Sequence, residues 1–227
     1  FLRKLFYNLL DLLLLRSWHI HKEFKTFLQQ LSSKNISVLD AGMGFGQYTY
    51  YMAKKLPKSN ILAVDVKEEQ VEDCSIFFKN IRFANVSVEV QDLTVFVKEE
   101  NYQFILCVDV MEHIEQDVLV FKNMCKSLTK GGMLLISTPS DQGGSDVDNN
   151  DGKSFIEEHV RDGYNIKEIE NKLKESIFIE QALVIGENEK FASAIISPNF
   201  NHLHFWAVKH KVHYNNNKEL LQNSLVV

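Results

Sequence analysis

The sequence has few cysteines, no excess of basic residues and no long apolar run. Its 227 residues include three cysteines, Cys74, Cys107 and Cys125, which are dispersed along the chain. An odd and dispersed set is typical of reduced thiols in the cytosol, and it argues against a disulfide framework or a zinc site. The cysteine pattern therefore predicts a cytoplasmic protein.

Basic residues are outnumbered by acidic ones. The chain has 25 Lys and Arg against 30 Asp and Glu, which gives a net charge of −5. A basic footprint for nucleic acid is absent at the level of the whole chain, so we expect no nucleic-acid partner. With 45% hydrophobic residues, the length is that of one globular domain with a small appendage.

The most apolar segment, "LFYNLLDLLLLRSW", lies near the start of the sequence. Asp11 and Arg16 interrupt it, and a membrane-spanning helix needs about 20 apolar residues. The segment also has no small-residue cleavage site of a secretory signal. It predicts a helix that packs on the domain. A helix on a membrane surface is the alternative, because the apolar arc is wide and Arg3, Lys4 and Arg16 flank it.

Strands and helices alternate regularly after two helices at residues 2–15 and 18–31. This alternation predicts an α/β fold, an open and mostly parallel sheet with helices on both faces. The predicted strands cover residues 36–42, 60–66, 86–93, 102–110 and 132–139, and the helices between them cover residues 47–56, 67–81 and 117–130.

The last third of the chain shows less regular patterns. A polar loop is predicted at residues 140–152, a helix at residues 165–176 and a strand at residues 177–186. In residues 202–214 histidines alternate with apolar side chains, which favours a last strand with one wet face. That strand would give a structural role, not a metal site, to His202, His204, His210 and His213.

A loop with three glycines, Gly42, Gly44 and Gly46, follows the first predicted strand. The nicotinamide-binding fingerprint requires a sixth-position glycine, where this sequence has Gln47. A phosphate-binding P-loop requires Gly-Lys-Ser/Thr, which is also absent. Asp40 would repel a pyrophosphate but suits a ligand that carries ammonium and sulfonium charges. The loop therefore favours a cationic amino-acid end over a phosphate.

Acidic residues also lie at the ends of three other predicted strands. Asp65 stands where a carboxylate accepts hydrogen bonds from both ribose hydroxyls, although a helix-capping or turn role is an alternative. Asp92 is either a turn residue or an acceptor for the exocyclic amine of adenine, with Leu93 beside the ring. Because the carboxyl ends of parallel strands share one edge of a sheet, we expect these residues and Asp109 to line one crevice.

Five segments, "VLDAGMGFGQYT", "AVDV", "VQDL", "FILCVDVMEHI" and "GGMLLISTP", occur in an order and spacing that resemble class I S-adenosylmethionine-dependent methyltransferases. The resemblance covers about residues 36–139 and is to small-molecule enzymes of the type 11 and type 12 groups. It implies a Rossmann-like, seven-stranded sheet whose last two strands come from the C-terminal third. We accordingly predict an N-terminal helical cap at residues 1–33, a methyltransferase domain at residues 34–215 and a tail at residues 216–227.

The resemblance also implies the cofactor and its contacts. S-adenosylmethionine would be the methyl donor and S-adenosylhomocysteine the product. Carried over by position, the cofactor-binding residues are Asp40, Gly42, Gly44, Gly46, Asp65, Val66, Asp92, Leu93 and Asp109.

The segment "DVMEHI" would lie where the acceptor meets the methyl group. His113 is a candidate base because its ordinary pKa is close to neutral. The alternative is that Glu112 and His113 cap and orient the next helix. A second segment, "EEHVRDGY", offers His159 as a further catalytic candidate. The predicted acceptor-binding residues are Glu112, Arg161 and Tyr164.

A divalent metal is a lesser alternative that the resemblance leaves open. Some relatives bind a metal through a Glu-x-x-Glu-His segment, but this chain has an aspartate in place of the first glutamate. Most class I enzymes need no metal, so we predict no metal site. The candidate ligands would be Asp109, Glu112, His113 and His159.

The sequence thus predicts a methyltransferase that acts on a small molecule by in-line displacement. The acceptor would be quinone-like, lipid-linked or sugar-like, and the apolar N-terminus favours a hydrophobic one. A non-catalytic protein that binds S-adenosylmethionine or another nucleoside on the same fold is the main alternative, since fold alone does not determine function. A nicotinamide-dependent oxidoreductase is the second alternative, which Gln47 disfavours. The pattern leaves the oligomeric state open.

Overall fold

The computed structural model describes residues 2–31, 35–139, 160, 163–165, 167, 171, 179–185, 193–198 and 200–222. The helices within these residues are α1 (Leu2–Leu13), α2 (Leu15–Gln30), α3 (Gln47–Lys55), α4 (Glu68–Asn80), α5 (Asp117–Ser127), α6 (Phe200–Lys209) and α7 (Asn217–Gln222). The strands are β1 (Ser37–Ala41), β2 (Asn60–Asp65), β3 (Val86–Val90), β4 (Tyr102–Val108), β5 (Leu128–Ser137), β6 (Ile179–Ile185) and β7 (Ser193–Pro198).

The chain forms two compact units. The first comprises Phe1–Met111 and Gln116–Ser137, and the second comprises Glu112–Glu115 and Thr138–Val227. Elements α1–α5 and β1–β5 belong to the first unit, whereas β6, β7, α6 and α7 belong to the second. The division into a cap, a methyltransferase domain and a tail stays a prediction.

The first unit is built on a five-stranded parallel sheet of order β3-β2-β1-β4-β5. Its central strand is β1, in which Leu39 is paired with Leu62 of β2 and Ile105 of β4. Most of β4 is buried, as expected of a strand covered on both faces. The sheet confirms the predicted Rossmann-like, open α/β fold.

Aromatic side chains attach the two N-terminal helices to the sheet. Phe24 and Phe27 of α2 are buried against Phe104 of β4, with ring centroids 4.9 and 5.0 Å apart. Tyr7 of α1 is also buried, and its ring lies 5.4 Å from that of Tyr50 in α3. Burial of large aromatic side chains contributes most of the packing energy of such contacts. The two helices are therefore integral parts of the first unit.

The second unit differs from the prediction in two respects. Within the described residues, β6 and β7 hydrogen-bond to each other in antiparallel orientation, so the parallel sheet has five strands instead of the predicted seven. The stretch predicted as a last strand is helix α6, which buries Leu203 and Ala207 four positions apart. Residues four positions apart lie on one face of a helix, so the buried residues follow the helical period. The alternation of histidines with apolar residues therefore led to a wrong prediction of a strand.

The predictions for residues 140–152 and 165–176 lie, wholly or for the most part, outside the described residues.

Across the described parts of the chain, every helix is too short or too polar to cross a membrane.

Candidate active site

The glycine loop connects β1 to α3 at the carboxyl edge of the sheet. All three glycines have left-handed backbones, with φ of 81° at Gly42, 50° at Gly44 and 76° at Gly46. The loop is anchored to β2, because the N–H groups of Gly42 and Met43 both donate to the carbonyl of Val64 at 2.9 Å. Residues other than glycine rarely adopt this backbone conformation, which explains why glycines occupy these three positions.

The three glycines face different surroundings. A Cβ atom on Gly42 would lie 2.2 Å from Cγ2 of Val110, and one on Gly46 would lie 3.1 Å from Sγ of Cys74. A Cβ atom on Gly44 would meet no atom within 4 Å. Gly42 and Gly46 are thus required for packing within the protein, whereas Gly44 exposes its backbone to open space where a ligand can approach.

Asp65, the last residue of β2, holds the glycine loop in place. Its Oδ2 accepts a hydrogen bond from the N–H of Gly44 at 3.0 Å, and its Oδ1 accepts one from the N–H of Lys67 at 3.0 Å. The second contact is the turn role considered from the sequence. Each carboxylate oxygen has two acceptor positions, so these two bonds leave capacity for ribose hydroxyls.

Asp40 lies in the interior of the first unit. Its carboxyl group is buried and accepts a hydrogen bond from the hydroxyl of Thr49 in α3. Burial raises the pKa of Asp40 from 3.8 to about 7, so part of its population is uncharged at neutral pH. The structure therefore gives Asp40 a role in joining β1 to α3, and weakens the electrostatic attraction that the sequence suggested.

Asp109 follows β4 and takes a left-handed backbone with φ of 52°. Its N–H donates to the carbonyl of Ser137 at 2.8 Å, which fixes the residue at the carboxyl ends of β4 and β5. Its side chain forms an ion pair with Arg16 of α2. Val110, which packs against Gly42, is the next residue, so Asp109 lies beside the glycine loop.

Asp92 and Leu93 follow β3 at the same edge of the sheet. Asp92 forms a turn, because its Oδ1 accepts hydrogen bonds from the N–H and hydroxyl of Thr94 at 2.8 and 2.7 Å. Leu93 is buried, and its carbonyl accepts a hydrogen bond from Asn123 of α5 at 3.0 Å. Val66, directly after Asp65, is 59% exposed. Strand order and direction thus bring the predicted cofactor residues to one edge.

Helix α1 contacts the glycine loop, and this contact was not predicted from the sequence. Arg3 and Tyr7 both donate hydrogen bonds to the carbonyl of Phe45 within the loop. Arg3 also pairs with Asp73 of α4 at 2.6 Å. The sequence contained one signal for this contact, the predicted docking of an N-terminal helix, but nothing in it identified the loop as the partner.

A second set of contacts joins the start of α3 to the two N-terminal helices. The side-chain amide of Gln47 donates to Asp11 at 2.8 Å and to the hydroxyl of Ser17 at 3.1 Å. Ser17 also lies 3.2 Å from the hydroxyl of Tyr48. Gln47 thus occupies the position of the missing sixth-position glycine and attaches the loop to the N-terminal helices.

The predicted acceptor and catalytic residues that the structure describes belong to the second unit. Glu112 is buried, and its Oε2 accepts a hydrogen bond from the hydroxyl of Thr138 at 3.1 Å. His113 is exposed. Tyr164 is buried, and its N–H donates to the carbonyl of Pro139 at 3.0 Å. His159 and Arg161 lie outside the described residues, and the roles of all five stay predictions.

Among the residues that the structure describes, no three His, Cys, Asp or Glu side chains are grouped to hold a metal ion. His204 of α6 lies 2.7 Å from Oδ1 of Asn217, so this histidine joins two helices of the second unit.

The described residues define an open α/β protein whose predicted cofactor residues lie at the carboxyl edge of its parallel sheet. Comparison of the sequence with known families identifies the family. A family model described as "Methyltransferase domain" matches residues 32–210. The chain belongs to this methyltransferase family, which confirms the resemblance seen in the sequence.

Individual relatives match over part of their length. The chain is 31% identical over 100 residues to the (S)-coclaurine N-methyltransferase of Thalictrum flavum subsp. glaucum, covering 44% of this chain and 28% of that protein. It is 26% identical over 111 residues to the ubiquinone biosynthesis O-methyltransferase of Coxiella burnetii, covering 48% and 46%. The chain thus matches less than half the length of these curated relatives.

Among solved structures, the fold is similar to that of a SAM-dependent methyltransferase from Aquifex aeolicus. The TM-score is 0.56 at 18% sequence identity, with 78% of this chain and 88% of that chain covered. At this identity the likeness concerns the fold alone.

Proposed function

We propose that this protein is an S-adenosylmethionine-dependent methyltransferase that acts on a small-molecule acceptor and releases S-adenosylhomocysteine. One observation carries the proposal: the backbone of Gly44 faces open space while its N–H is bonded to the carboxylate of Asp65. A nucleoside can approach the backbone there and still reach an acidic acceptor for its ribose hydroxyls. Membership of the methyltransferase family supports the same reading.

The cofactor would be held by residues of the first unit. Asp65 would accept hydrogen bonds from the ribose hydroxyls, and Val66 would contact the nucleoside. Asp92 and Leu93 would lie at the adenine, and Asp109 would lie at the amino-acid end. These assignments fit the order of the strands, because β3, β2, β1 and β4 are neighbours and their carboxyl ends share one edge.

S-adenosylmethionine supplies a methyl group that the sulfonium already activates for in-line displacement. The protein then has to align the acceptor, exclude water and, for a hydroxyl acceptor, remove a proton. We assign proton removal to His113, which is exposed, or to His159. Glu112, Arg161 and Tyr164 would contact the acceptor. A metal is not required by this scheme.

The acceptor class is inferred from the relatives and from α1. Named relatives include an N-methyltransferase and an O-methyltransferase, so both kinds of acceptor are compatible with the family. We propose an acceptor of quinone-like, lipid-linked or sugar-like type, and the exposed apolar side chains of α1 favour a hydrophobic one among these.

Calorimetric titration of the purified protein with S-adenosylmethionine, S-adenosylhomocysteine and NAD tests the cofactor. We expect binding of the first two and none of NAD. Asp65→Asn should weaken S-adenosylhomocysteine binding ~10-fold or more, because an amide replaces a charged acceptor of ribose hydrogen bonds. Glu72→Ala, on the exposed side of α4, is the control and should bind as the wild type does. Failure of the wild type to bind either S-adenosyl compound would refute the proposal.

A non-catalytic binding protein on the same fold is distinguished by turnover. Production of S-adenosylhomocysteine in the presence of a panel of phenolic, amine and quinol acceptors would support an enzyme. His113→Ala should lower kcat on a hydroxyl acceptor without changing S-adenosylhomocysteine affinity. Tight cofactor binding without product for any acceptor would favour the non-catalytic alternative.

We also infer that α1 contacts the surface of an anionic membrane. Its polar face, with Arg3 and Tyr7, packs on the first unit, and its apolar face points outward. Six apolar side chains on that outward face are between 48% and 81% exposed: Leu2, Leu5, Phe6, Leu9, Leu12 and Leu13. Soluble proteins rarely expose a contiguous apolar surface of this kind unless it has a partner.

The residues that border this surface favour lipid over a second copy of the chain. Trp18, at the start of α2, is 55% exposed, and Nζ of Lys22 lies 5.6 Å from the centre of its ring. An aromatic ring beside a cation is typical of helices at the membrane interface. Two copies of the chain would bring like charges together across a symmetric contact, whereas anionic lipid offers the opposite charge.

A further inference from the structure

The ion pair between Arg16 and Asp109 joins the N-terminal helices to the end of β4. Arg16 belongs to the first turn of α2, and Asp109 lies beside the glycine loop. The next residue of α2, Ser17, contacts Gln47 at the start of α3. The pair is thus located between the N-terminal helices and the loop that we propose to hold the cofactor.

Stability alone does not account for this pair. The two side chains are 28% and 36% exposed, and ion pairs at that exposure add little to stability. Asp109 has a left-handed backbone, and its Oδ1 is buried with no hydrogen-bond partner among the described residues. A strained residue with an unsatisfied buried oxygen is a candidate for ligand contact.

We propose that Arg16 and Asp109 together bind the amino-acid end of the cofactor, with the α-carboxylate on the guanidinium of Arg16 and the α-ammonium on Asp109. This inference rests on the proposed function. The amino-acid end is a zwitterion, so its insertion replaces one ion pair with two and leaves no charge uncompensated. The guanidinium suits a carboxylate because its N–H groups match the two oxygens in a bidentate contact.

In this proposal the cofactor joins α2 to the end of β4. Arg16 is carried by α2, so a bound amino-acid end would connect α2 to the end of β4 through the ligand. A nucleoside without that end would leave the direct Arg16–Asp109 pair intact. Binding of the complete cofactor therefore differs from binding of its nucleoside part by the contacts of these two residues.

Titration of two ligands tests the inference. S-adenosylhomocysteine carries the amino-acid end, and 5′-methylthioadenosine has the same nucleoside without it. For Arg16→Ala we expect S-adenosylhomocysteine to bind ~10- to 100-fold more weakly, as on loss of a charged hydrogen bond, and methylthioadenosine to bind within about 2-fold of wild type. Arg16→Lys, which keeps the charge and loses the fork, should be intermediate. Asp109→Asn should also weaken only S-adenosylhomocysteine.

Arg3→Ala is the matched control. Arg3 attaches α1 to Asp73 and to the glycine loop, so its loss loosens the N-terminal helices without removing the proposed ligand contact. The control should change both affinities by the same factor. Equal weakening of both ligands by Arg16→Ala, or unchanged binding of S-adenosylhomocysteine, would overturn the inference while the proposed function stands. Absence of binding of either ligand to the wild type would overturn the proposed function itself.

Discussion

Gly42 and Gly44 are two positions apart, and their backbones have the same left-handed conformation. They differ in what surrounds them, because Val110 packs against Gly42 and open space lies over Gly44. Substitution by alanine should separate packing from ligand binding at these positions. An alanine in this backbone region costs ~1 kcal/mol wherever it is placed.

Gly44→Ala should lower the free energy of unfolding by only ~1 kcal/mol, since its methyl group meets no protein atom. It should weaken S-adenosylhomocysteine binding ~10-fold or more, because the methyl group occupies the space proposed for the ligand. Gly42→Ala should cost ~3 kcal/mol of unfolding free energy, because Val110 or the loop has to move. Denaturant unfolding and calorimetry give both quantities. Unchanged ligand affinity in Gly44→Ala would contradict a cofactor at this glycine.

Asp40 predicts a pH dependence of stability. Burial raises its pKa in the folded protein from 3.8 to about 7. The folded state therefore holds a proton that the unfolded state has lost between these values, and stability contributed by this group falls as pH rises from about 4 to about 7. Above pH 7 the loss is complete, and each unit of pKa difference is worth about 1.4 kcal/mol.

Asp40→Asn removes this titration and keeps an oxygen that accepts the Thr49 hydrogen bond. We expect the unfolding free energy of the variant, relative to wild type, to rise by a few kcal/mol between pH 4 and pH 7. Urea unfolding at several pH values measures this difference, and other titrating groups cancel in the comparison. A difference that is constant with pH would show that Asp40 has an ordinary pKa.

Residues near each other in the sequence were the easier ones to assign. The glycine spacing and the acidic residues at the ends of β2, β3 and β4 could be read from the order of the chain, since parallel strands end at a common edge. Arg16 was noted only as a charge beside an apolar segment, because its partner Asp109 is remote in the sequence. The burial of Asp40 was also beyond prediction, since it depends on how α3 packs on β1.

At the scale of elements, the N-terminal helix α1 depends on one buried side chain. Tyr7 is only 1% exposed, lies against Tyr50 and Phe77, and donates a hydrogen bond to the carbonyl of Phe45. Tyr7→Phe should cost about 1 kcal/mol of unfolding free energy, because the ring stays and Arg3 still bonds that carbonyl. Tyr7→Ala should cost ~3 kcal/mol or detach α1.

Limited proteolysis distinguishes these outcomes. In Tyr7→Ala we expect cleavage within α1 at protease concentrations that leave wild type and Tyr7→Phe intact. Equal protection of all three proteins would show that α1 is held by other contacts.

The elements predicted from the sequence agree closely with the structure in the first unit and less closely in the second. Strand β4 and helix α4 were recognised because a buried parallel strand is apolar throughout and a covering helix has a helical period. Helix α6 was predicted as a strand, since its histidines alternate with apolar residues while its buried face consists of Leu203 and Ala207. The predicted end of α5 at residue 130 was also wrong, because the helix ends at Ser127 and β5 begins directly at Leu128.

At the scale of the whole molecule, the net charge is negative, whereas α1 exposes an apolar face. The chain has a net charge of −5, which opposes general attraction to anionic lipid. Any binding to an anionic membrane must therefore come from the apolar face of α1 and the cations near it. This makes the membrane inference specific to one surface and accessible to substitution.

Sedimentation with vesicles of phosphatidylcholine, with and without phosphatidylglycerol, measures that binding. We expect the wild type to bind the anionic vesicles and Leu9→Glu with Leu13→Glu to lose binding ~10-fold or more, since two charges would enter the apolar interface. Ile76→Glu with Val95→Glu adds the same charge at exposed positions outside α1 and should bind nearly as the wild type does. If both double variants lose binding equally, net charge and not the apolar face controls it. If the wild type does not bind vesicles but self-associates, and the variant with Leu9→Glu and Leu13→Glu is monomeric, a second copy of the chain occupies the apolar face of α1.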